Sequence, residues 1–381
     1  MIPYSRQNIG EDDIAAVVEV LRSDWLTTGP KVAEFEAAFA KFCGTREAVA
    51  VSNGTAALHC VTHVLGLGPG DEVLVPAITF VASANAARYV GATPIHCDVD
   101  EVTLLLDPAD VERKITPRTK AIVAVDYAGQ ACDYDALVHL ARHHNLALIA
   151  DACHALGGDI EGRPVGSLAD FSTFSFHPVK PMTTGEGGMI TTDNVEAAAR
   201  MRVFRNHGIT SDFRSREQAG TWAYDMSEVG QNYRLTDLQS ALGISQLKKL
   251  PAWVVERQAL ADRYRENLKG AAAIAPLGVR PGVSHAYHLF VVELINQAEG
   301  LRDEVFKAMR ARGIGVNVLY RPIYNHTALA GEREQNPPRC PVAERAAARI
   351  LALPLYPGLS PDKVDFICKE LNEVIATTIN N

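Results

Sequence analysis

The sequence predicts an α/β protein: a large domain with a mostly parallel sheet between helices, followed by a smaller α/β domain. Three observations carry that prediction. From about residue 47 to 192, short apolar runs alternate with helix-length segments. The runs are apolar at nearly every position rather than at every second one, as in strands covered on both faces. From about residue 255 onward the alternation resumes on a smaller scale.

Taken in order, the chain begins with two amphipathic helices, one around 11–22 and one in which Phe35, Phe39 and Phe42 recur at i, i+4 and i+7. EAVAV opens the sheet and TAALHCVTHVL is the helix behind it. EVLVP precedes a helix in FVASANAARYV, and TPIHCDV, KAIVAVD, LALIAD, FSTFSF and GMITT supply the remaining strands. Helices follow near 194–205, 235–248 and 251–268, the last begun by Pro251, since a first-turn proline gives up no helical hydrogen bond. Beyond it lie YHLFVVEL, a helix at 301–312, GIGVNVL, and helices near 341–351 and 361–377. The expected domains are residues 1–254 and 255–381, with the turn region GVRPGV and the looser loop ALAGEREQNPPRC in the second.

The bulk charge narrows the function classes. Lys and Arg number 37 against 45 Asp and Glu, a formal net charge of -8 without any basic run, which argues against a nucleic-acid surface. The N-terminal MIPYSRQNIGEDD has no apolar targeting core, and no uncharged stretch approaches membrane-spanning length, so a cytoplasmic location is expected. Seven scattered cysteines, odd in number and without CxxC spacing, suggest reduced thiols rather than a disulfide framework or zinc site. Asp135, His139 and His143 share one helical face but lack a second set of ligands; they read as a solvated face, and no metal is expected.

The chemistry concentrates around FSFHPVKPMTTGEGG, residues 174–188. Pro178 and Pro181 exclude a helix interior around Lys180, which reads as a positioned amine. A catalytic amine needs an electrophile, a group that tunes it and an anion site that holds it. AVAVSNGTAAL supplies the anion site: Ser52 to Thr55 stand between a strand and a helix, where free N–H groups suit a phosphate, although plain capping by Asn53 or Thr55 accounts equally well for these residues alone. LALIADACHALGG ends a strand on Asp151, where a parallel sheet presents groups to its carboxyl edge. A carboxylate there caps the next turn or holds a pyridine nitrogen, with His154 close by. GLGPG at 66–70 follows a helix and precedes a strand, the reverse of a dinucleotide-binding loop, and is a connecting turn.

The ordered set SNGTAAL, PAITFVASANA, VDYAG, DACHALGG, FSFHPVKPMTTGEGG, FRNHG and NYRLTDLQSALG resembles the fold type I pyridoxal-phosphate sugar aminotransferases of the DegT/DnrJ/EryC1/StrS group, over nearly the whole chain. The resemblance implies an aspartate-aminotransferase-like fold in which Lys180 binds pyridoxal 5'-phosphate covalently and then moves a proton between substrate and cofactor. By the same resemblance Asp151 pairs with the pyridine nitrogen, Phe80 stacks on the ring, and His154 lies near the phenolic oxygen. Gly54, Thr55 and Ser175 hold the phosphate, completed by Asn232 from a neighbouring subunit, which makes the active form a homodimer. His177 and Tyr127 are implied to line the cleft, and the Thr183, Thr184, Gly185 loop to let substrate approach.

A related branch replaces the lysine by histidine, so lysine here implies a transaminase, with L-glutamate as the donor. VDYAG, HPVKPMTT, SALGISQLKKL and YRPIY look most like the branch that aminates C4 of a UDP-linked 4-keto-6-deoxy-N-acetyl-altrosamine in pseudaminic acid biosynthesis. Branches acting on UDP-4-keto-arabinose or a dTDP-4-keto-6-deoxyhexose are the alternatives within the family, and a non-catalytic sugar-nucleotide sensor of the same fold is the alternative of another class, against which the intact Lys180, Asp151 and phosphate motifs argue. Arg234 and Arg321, with Tyr320 and His326, are the candidates for holding the nucleotide sugar.

Overall fold

The computed structural model describes residues 1–211, 213–331 and 338–380; residues 332–337 of the expected ALAGEREQNPPRC loop lie outside the described residues. Helices α1 (Glu11–Leu21) and α2 (Pro30–Cys43) lead into strand β1 (Glu47–Val51) and helix α3 (Gly54–Val64). Then come β2 (Glu72–Pro76), α4 (Val81–Tyr89), β3 (Thr93–Cys97), α5 (Pro108–Lys114), β4 (Thr119–Val125), α6 (Tyr134–His144) and β5 (Ala147–Asp151). A hairpin of two short strands, β6 (Asp159–Ile160) and β7 (Arg163–Pro164), precedes β8 (Phe171–Ser175), β9 (Gly188–Thr192) and α7 (Val195–Phe204).

Seven strands pair in the order β1-β9-β8-β5-β4-β2-β3. β9 is antiparallel to both neighbours, and the pairings from β8 through β5, β4 and β2 to β3 are parallel. Six strands therefore end on one edge of the sheet, with the apolar runs of the sequence as its strands. Their burial explains the pattern: all five residues of β2 and the last five of β4 are buried. Phe35, Phe39, Phe174 and Phe176 pack on one face, Phe39 and Phe174 with ring centroids 5.1 Å apart. Burial of each such ring contributes roughly 1.5–3 kcal/mol. Phe42 is half-buried against the same cluster. On the other face α3, α4 and α7 cover the sheet through Leu58, Val61, Ala84 and Met201.

One expectation fails in a simple way. In place of helices at 235–248 and 251–268 there is a single helix, Asp237–Asn267, with Pro251 inside it. The proline removes one N–H···O bond, to Leu247, a defect that costs a helix interior ~3 kcal/mol. Burial of Leu247, Leu250, Trp253 and Val254 on either side of it offsets that loss. The helix starts in a capping box, Gln239 N donating to Thr236 Oγ1 and Thr236 N to Gln239 Oε1. It lies against α1 and α2 in its first part and against the C-terminal helix Pro361–Ile379 further on.

A second sheet joins Ile274–Pro276, Phe290–Leu294 and Ile350–Leu353, all antiparallel. Its core holds Tyr264, Phe290, Met309, Leu351 and Leu371. Two ties bind this region to the rest. Val283–Ser284 pairs with β6, and Ile2 bridges to Ile314, with Ile2 N donating to Gly313 O at 2.8 Å and Gly315 N to Ile2 O at 2.7 Å.

Candidate active site

The carboxyl edge of the large sheet opens into a cavity of about 870 Å³. That volume suits a cofactor with a sizeable substrate. β1 delivers Asn53 and Gly54, β5 delivers Asp151, and β8 leads through Ser175 and His177 to Lys180; Thr79 and Phe80 follow β2. Leu319 and Tyr320 close the far wall, joined by Tyr4 near the N-terminus.

Lys180 sits in a tight turn, its N–H donating to His177 O at 2.9 Å. Among the described residues no ion pair or side-chain hydrogen bond holds its amine. Burial lowers its pKa from the ordinary lysine value, against the pull of Cys153 and Asp151. The amine is thus biased toward its neutral, nucleophilic form.

Asp151 is 6% exposed and still lines the cavity. Its Oδ2 accepts from Ser83 Oγ at 2.6 Å, and its Oδ1 has a long contact of 3.4 Å from Cys153 N. His154 is also buried. Its Nε2 lies 3.2 Å from the Tyr320 hydroxyl, while its Nδ1 has no partner. Burial, reinforced by Lys180, pushes the ring's pKa well below the usual histidine value and keeps it neutral. The His288 ring lies 4.4 Å from that of His154, centroid to centroid.

At the N-terminus of α3, Asn53 Oδ1 caps the helix by accepting from Ala56 N at 2.8 Å. Capping therefore explains Asn53, and Gly54 needs a separate reason. A Cβ on Gly54 would stand 2.9 Å from Ser175 Cβ and 3.3 Å from Cys153 Sγ, so glycine is what allows this helix end to approach β8. Gly54, Thr55 and Ser175 then border the cavity together. Phosphate fits such a helix terminus. With the unpaired amine of Lys180 and the buried carboxylate of Asp151, the residues present suit pyridoxal phosphate.

The other residues singled out from the sequence fall in three places. Phe80, His154, His177 and Tyr320 line the cavity. Tyr127 does not: it is 1% exposed and its hydroxyl donates to Leu319 O beneath the wall. Asn232, Arg234, Arg321 and His326 lie off the cavity of their own chain. Asn232 is exposed and bridges to Asn206, Arg234 Nη1 donates to Asn206 Oδ1 at 2.9 Å, Arg321 is exposed, and His326 is half-buried. Gln231 and Tyr233 line the cavity instead. The two-residue period of extended backbone turns Asn232 the other way. Thr183 and Thr184 are buried, their hydroxyls bonded to Phe176 O and Glu186 O, so they shape the loop rather than face the cavity.

Sequence reasoning missed Ser83, Cys153, His59 and Tyr4. Ser83 and Tyr4 carry no local signal, since their contacts at the site are distant in sequence. The Asp135, His139 and His143 face is tied by an ion pair of 3.0 Å between Asp135 and Arg163. Among the described residues no group of three His, Cys, Asp or Glu side chains is arranged to hold a metal ion. All seven cysteines are free. Among the described residues no helix is long and apolar enough to cross a membrane.

The mostly parallel sheet with a second, smaller sheet beyond it is the architecture of fold type I pyridoxal-phosphate enzymes, and pyridoxal phosphate is the cofactor. Residues 7–372 match the DegT/DnrJ/EryC1/StrS aminotransferase family, and the chain belongs to it. It is 38% identical over 377 residues to the spore coat polysaccharide biosynthesis protein SpsC of Bacillus subtilis, covering 98% of this chain and 97% of that one. Spr1654 of Streptococcus pneumoniae, solved in PMP and PLP forms, superposes with TM-scores of 0.93 and 0.91 at 33% identity; 99% of this chain is covered in each case, with 100% and 99% of the other. PseC of Helicobacter pylori, an aminotransferase involved in the biosynthesis of pseudaminic acid, superposes with a TM-score of 0.92 at 30% identity, covering 99% of each chain.

Proposed function

We propose that this aminotransferase moves an amino group from L-glutamate to C4 of a UDP-linked 4-keto-6-deoxy-N-acetylhexosamine, giving the UDP-4-amino sugar of pseudaminic acid biosynthesis, in the cytoplasm. The observation that carries the reaction class is the desolvated, unpaired amine of Lys180 in one cavity with Asp151 and the α3 terminus. The likeness to PseC supports the choice of sugar.

Pyridoxal phosphate, when bound, supplies the carbonyl that carries the amino group and a ring that stores the electron pair left when a C–H bond breaks. The protein's part is proton handling and positioning. In this reading the Lys180 amine would carry the proton from Cα of the donor to the cofactor carbon that takes up the amino group, and in the second half-reaction from that carbon to C4 of the sugar. Asp151 would hold the pyridine nitrogen, and Phe80, on the same cavity wall, would pack on the ring. Gly54, Thr55 and Ser175 hold the phosphate, which fixes the ring relative to Lys180. His154, neutral and braced by Tyr320, faces the ring's oxygen substituent.

The partner's Asn232 completes the phosphate site of a homodimer in this reading. The exposure of that side chain, turned from its own cavity, supports the assignment. His177, at the exposed rim, would meet the sugar. Arg321, exposed, is the better candidate for the diphosphate than Arg234, which is committed to Asn206. The proposed division at 254/255 falls inside the Asp237–Asn267 helix, so the two domains share one rigid element.

The test is a spectral half-reaction. The enzyme is converted to its amino form with L-glutamate, freed of donor, and mixed with the UDP-4-keto-6-deoxy-altrosamine derivative. Prompt return of the cofactor's long-wavelength band supports the proposal. Return only with a UDP-4-keto-pentose or a dTDP-4-ketohexose moves the chain to another sugar.

A further inference from the structure

Beside Asp151 stand two hydroxyls that the mechanism above does not use, that of Ser83 and that of Thr79, a residue of the cavity wall. Ser83 Oγ lies 2.6 Å from Asp151 Oδ2, and Thr79 Oγ1 lies 2.7 Å from Ser83 Oγ. All three residues are buried: Ser83 is 0%, Thr79 2% and Asp151 6% exposed. Ser83 Oγ is also 3.2 Å from Phe80 O.

Each hydroxyl has one proton, which fixes the direction of the chain. An ionised carboxylate only accepts, so Ser83 must donate to Asp151 at the short distance and has nothing left for Phe80 O. Its lone pairs then accept from Thr79. The order is Thr79 to Ser83 to Asp151, a run of hydrogen bonds each strengthened by the next in a medium of low dielectric. One carboxylate oxygen is thereby committed. The other, Oδ1, takes a long 3.4 Å contact from Cys153 N, with the Cys153 thiol also beside the carboxylate, and keeps a lone pair for a further donor.

We infer that Ser83, with Thr79 acting through it, is a positioning residue that pins Asp151 Oδ2 and so reserves Oδ1 for the ring nitrogen of the cofactor. This rests on the reading that Asp151 faces that nitrogen. The sequence spacing fits the role. Phe80 caps α4 and Ser83 stands in its first turn, so the helix that carries the ring-covering Phe80 also carries the brace for Asp151. The two faces of the cofactor environment are set by one short segment, Thr79 to Ser83.

The experiment uses holoenzyme and compares Ser83→Ala, Thr79→Val, the double variant and Asp151→Asn. Three readouts are taken: cofactor dissociation constant, the pH dependence of the cofactor's visible spectrum, and thermal unfolding. Ser83→Ala is expected to weaken cofactor binding at least tenfold and to shift the spectral pH midpoint, with Thr79→Val doing the same to a smaller degree. In the Ser83→Ala background Thr79→Val should add less than a twofold change, because its effect runs through the missing hydroxyl. If Asp151→Asn changes affinity and spectrum while Ser83→Ala and Thr79→Val change only the melting temperature, the hydroxyls are structural and the inference is wrong. Indifference of the spectrum and the affinity to Asp151→Asn would overturn the reading of Asp151 itself. Should Ser83→Ala fail to fold, Thr79→Val decides, since Val matches Thr in shape and an unchanged spectrum there counts against the relay.

Discussion

The hydroxyl of Tyr320 stands 3.2 Å from Nε2 of His154, across 166 residues of chain. Both rings border the cavity, and the pair links the edge of the large sheet to the segment preceding the second sheet's last strand. Its loss is measurable. Tyr320→Phe removes the hydrogen bond while keeping the ring, and is expected to reduce stability by about 0.5–1.5 kcal/mol. A double-mutant cycle with His154→Asn in urea denaturation should return a coupling of about 1 kcal/mol; zero coupling would mean that the contact contributes nothing.

Lys180→Ala should abolish turnover without unfolding the protein. Proton transfer by a positioned side chain accounts for about 10²–10⁴-fold in rate, and on the proposed role the variant also loses its covalent hold on the cofactor. Stability should hold or rise slightly, because burial disfavours the ammonium form at this site. Appreciable residual turnover, measured by coupled detection of 2-oxoglutarate, would sink the role given to Lys180.

Gly54→Ala places a methyl group 2.9 Å from Ser175 Cβ. The strands and helix have to separate slightly, at about 1–3 kcal/mol. On the proposed role of Gly54 in holding the phosphate, cofactor affinity should fall in the same variant. Equilibrium dialysis together with thermal melting checks both effects, and unchanged affinity would remove Gly54 from the phosphate site.

Asp126 gives a pH prediction with a definite sign. Its side chain is buried, with Oδ1 accepting from Cys132 N and Tyr134 Oη, each at 2.9 Å, and Oδ2 without a partner. Burial raises its pKa from 3.8 to about 7. The unfolded chain therefore releases this proton first. The stabilisation is full below about pH 4 and is lost as pH rises to about 7, at up to ~1.4 kcal/mol per pH unit. Asp126→Asn has no such slope, so its stability relative to the parent should rise across that window and level off above it. A relative stability that is flat with pH would show that the carboxyl ionises normally.

The fold was legible because its strands are covered on both faces and so read as unbroken apolar runs. The helix through Pro251 was misread, since local propensity at one residue was outweighed by tertiary burial of four neighbours. The short strands at 159–164 and 283–284 carry no periodicity at all. In the site, residues adjacent to motifs were found where the motif itself turns into the cavity, as at Gly54, Asp151 and Lys180. Tyr127 was misplaced because its motif lies at the strand edge while its side chain packs beneath the wall. Ser83 and Asp151 are 68 residues apart. No local pattern announces such a contact, which exists only because α4 folds over the end of β5.

The bridge between Ile2 and Ile314 has a consequence for how the protein comes into being. Tyr4, two residues beyond that bridge, shares the cavity wall with Leu319 and Tyr320. During synthesis the first residues emerge long before their partners, and contacts of such sequence separation form late. The large sheet, with Lys180 and Asp151 in place, can assemble while the wall is still absent. The wall that buries Lys180 is therefore completed only after residue 320 has joined the N-terminal residues.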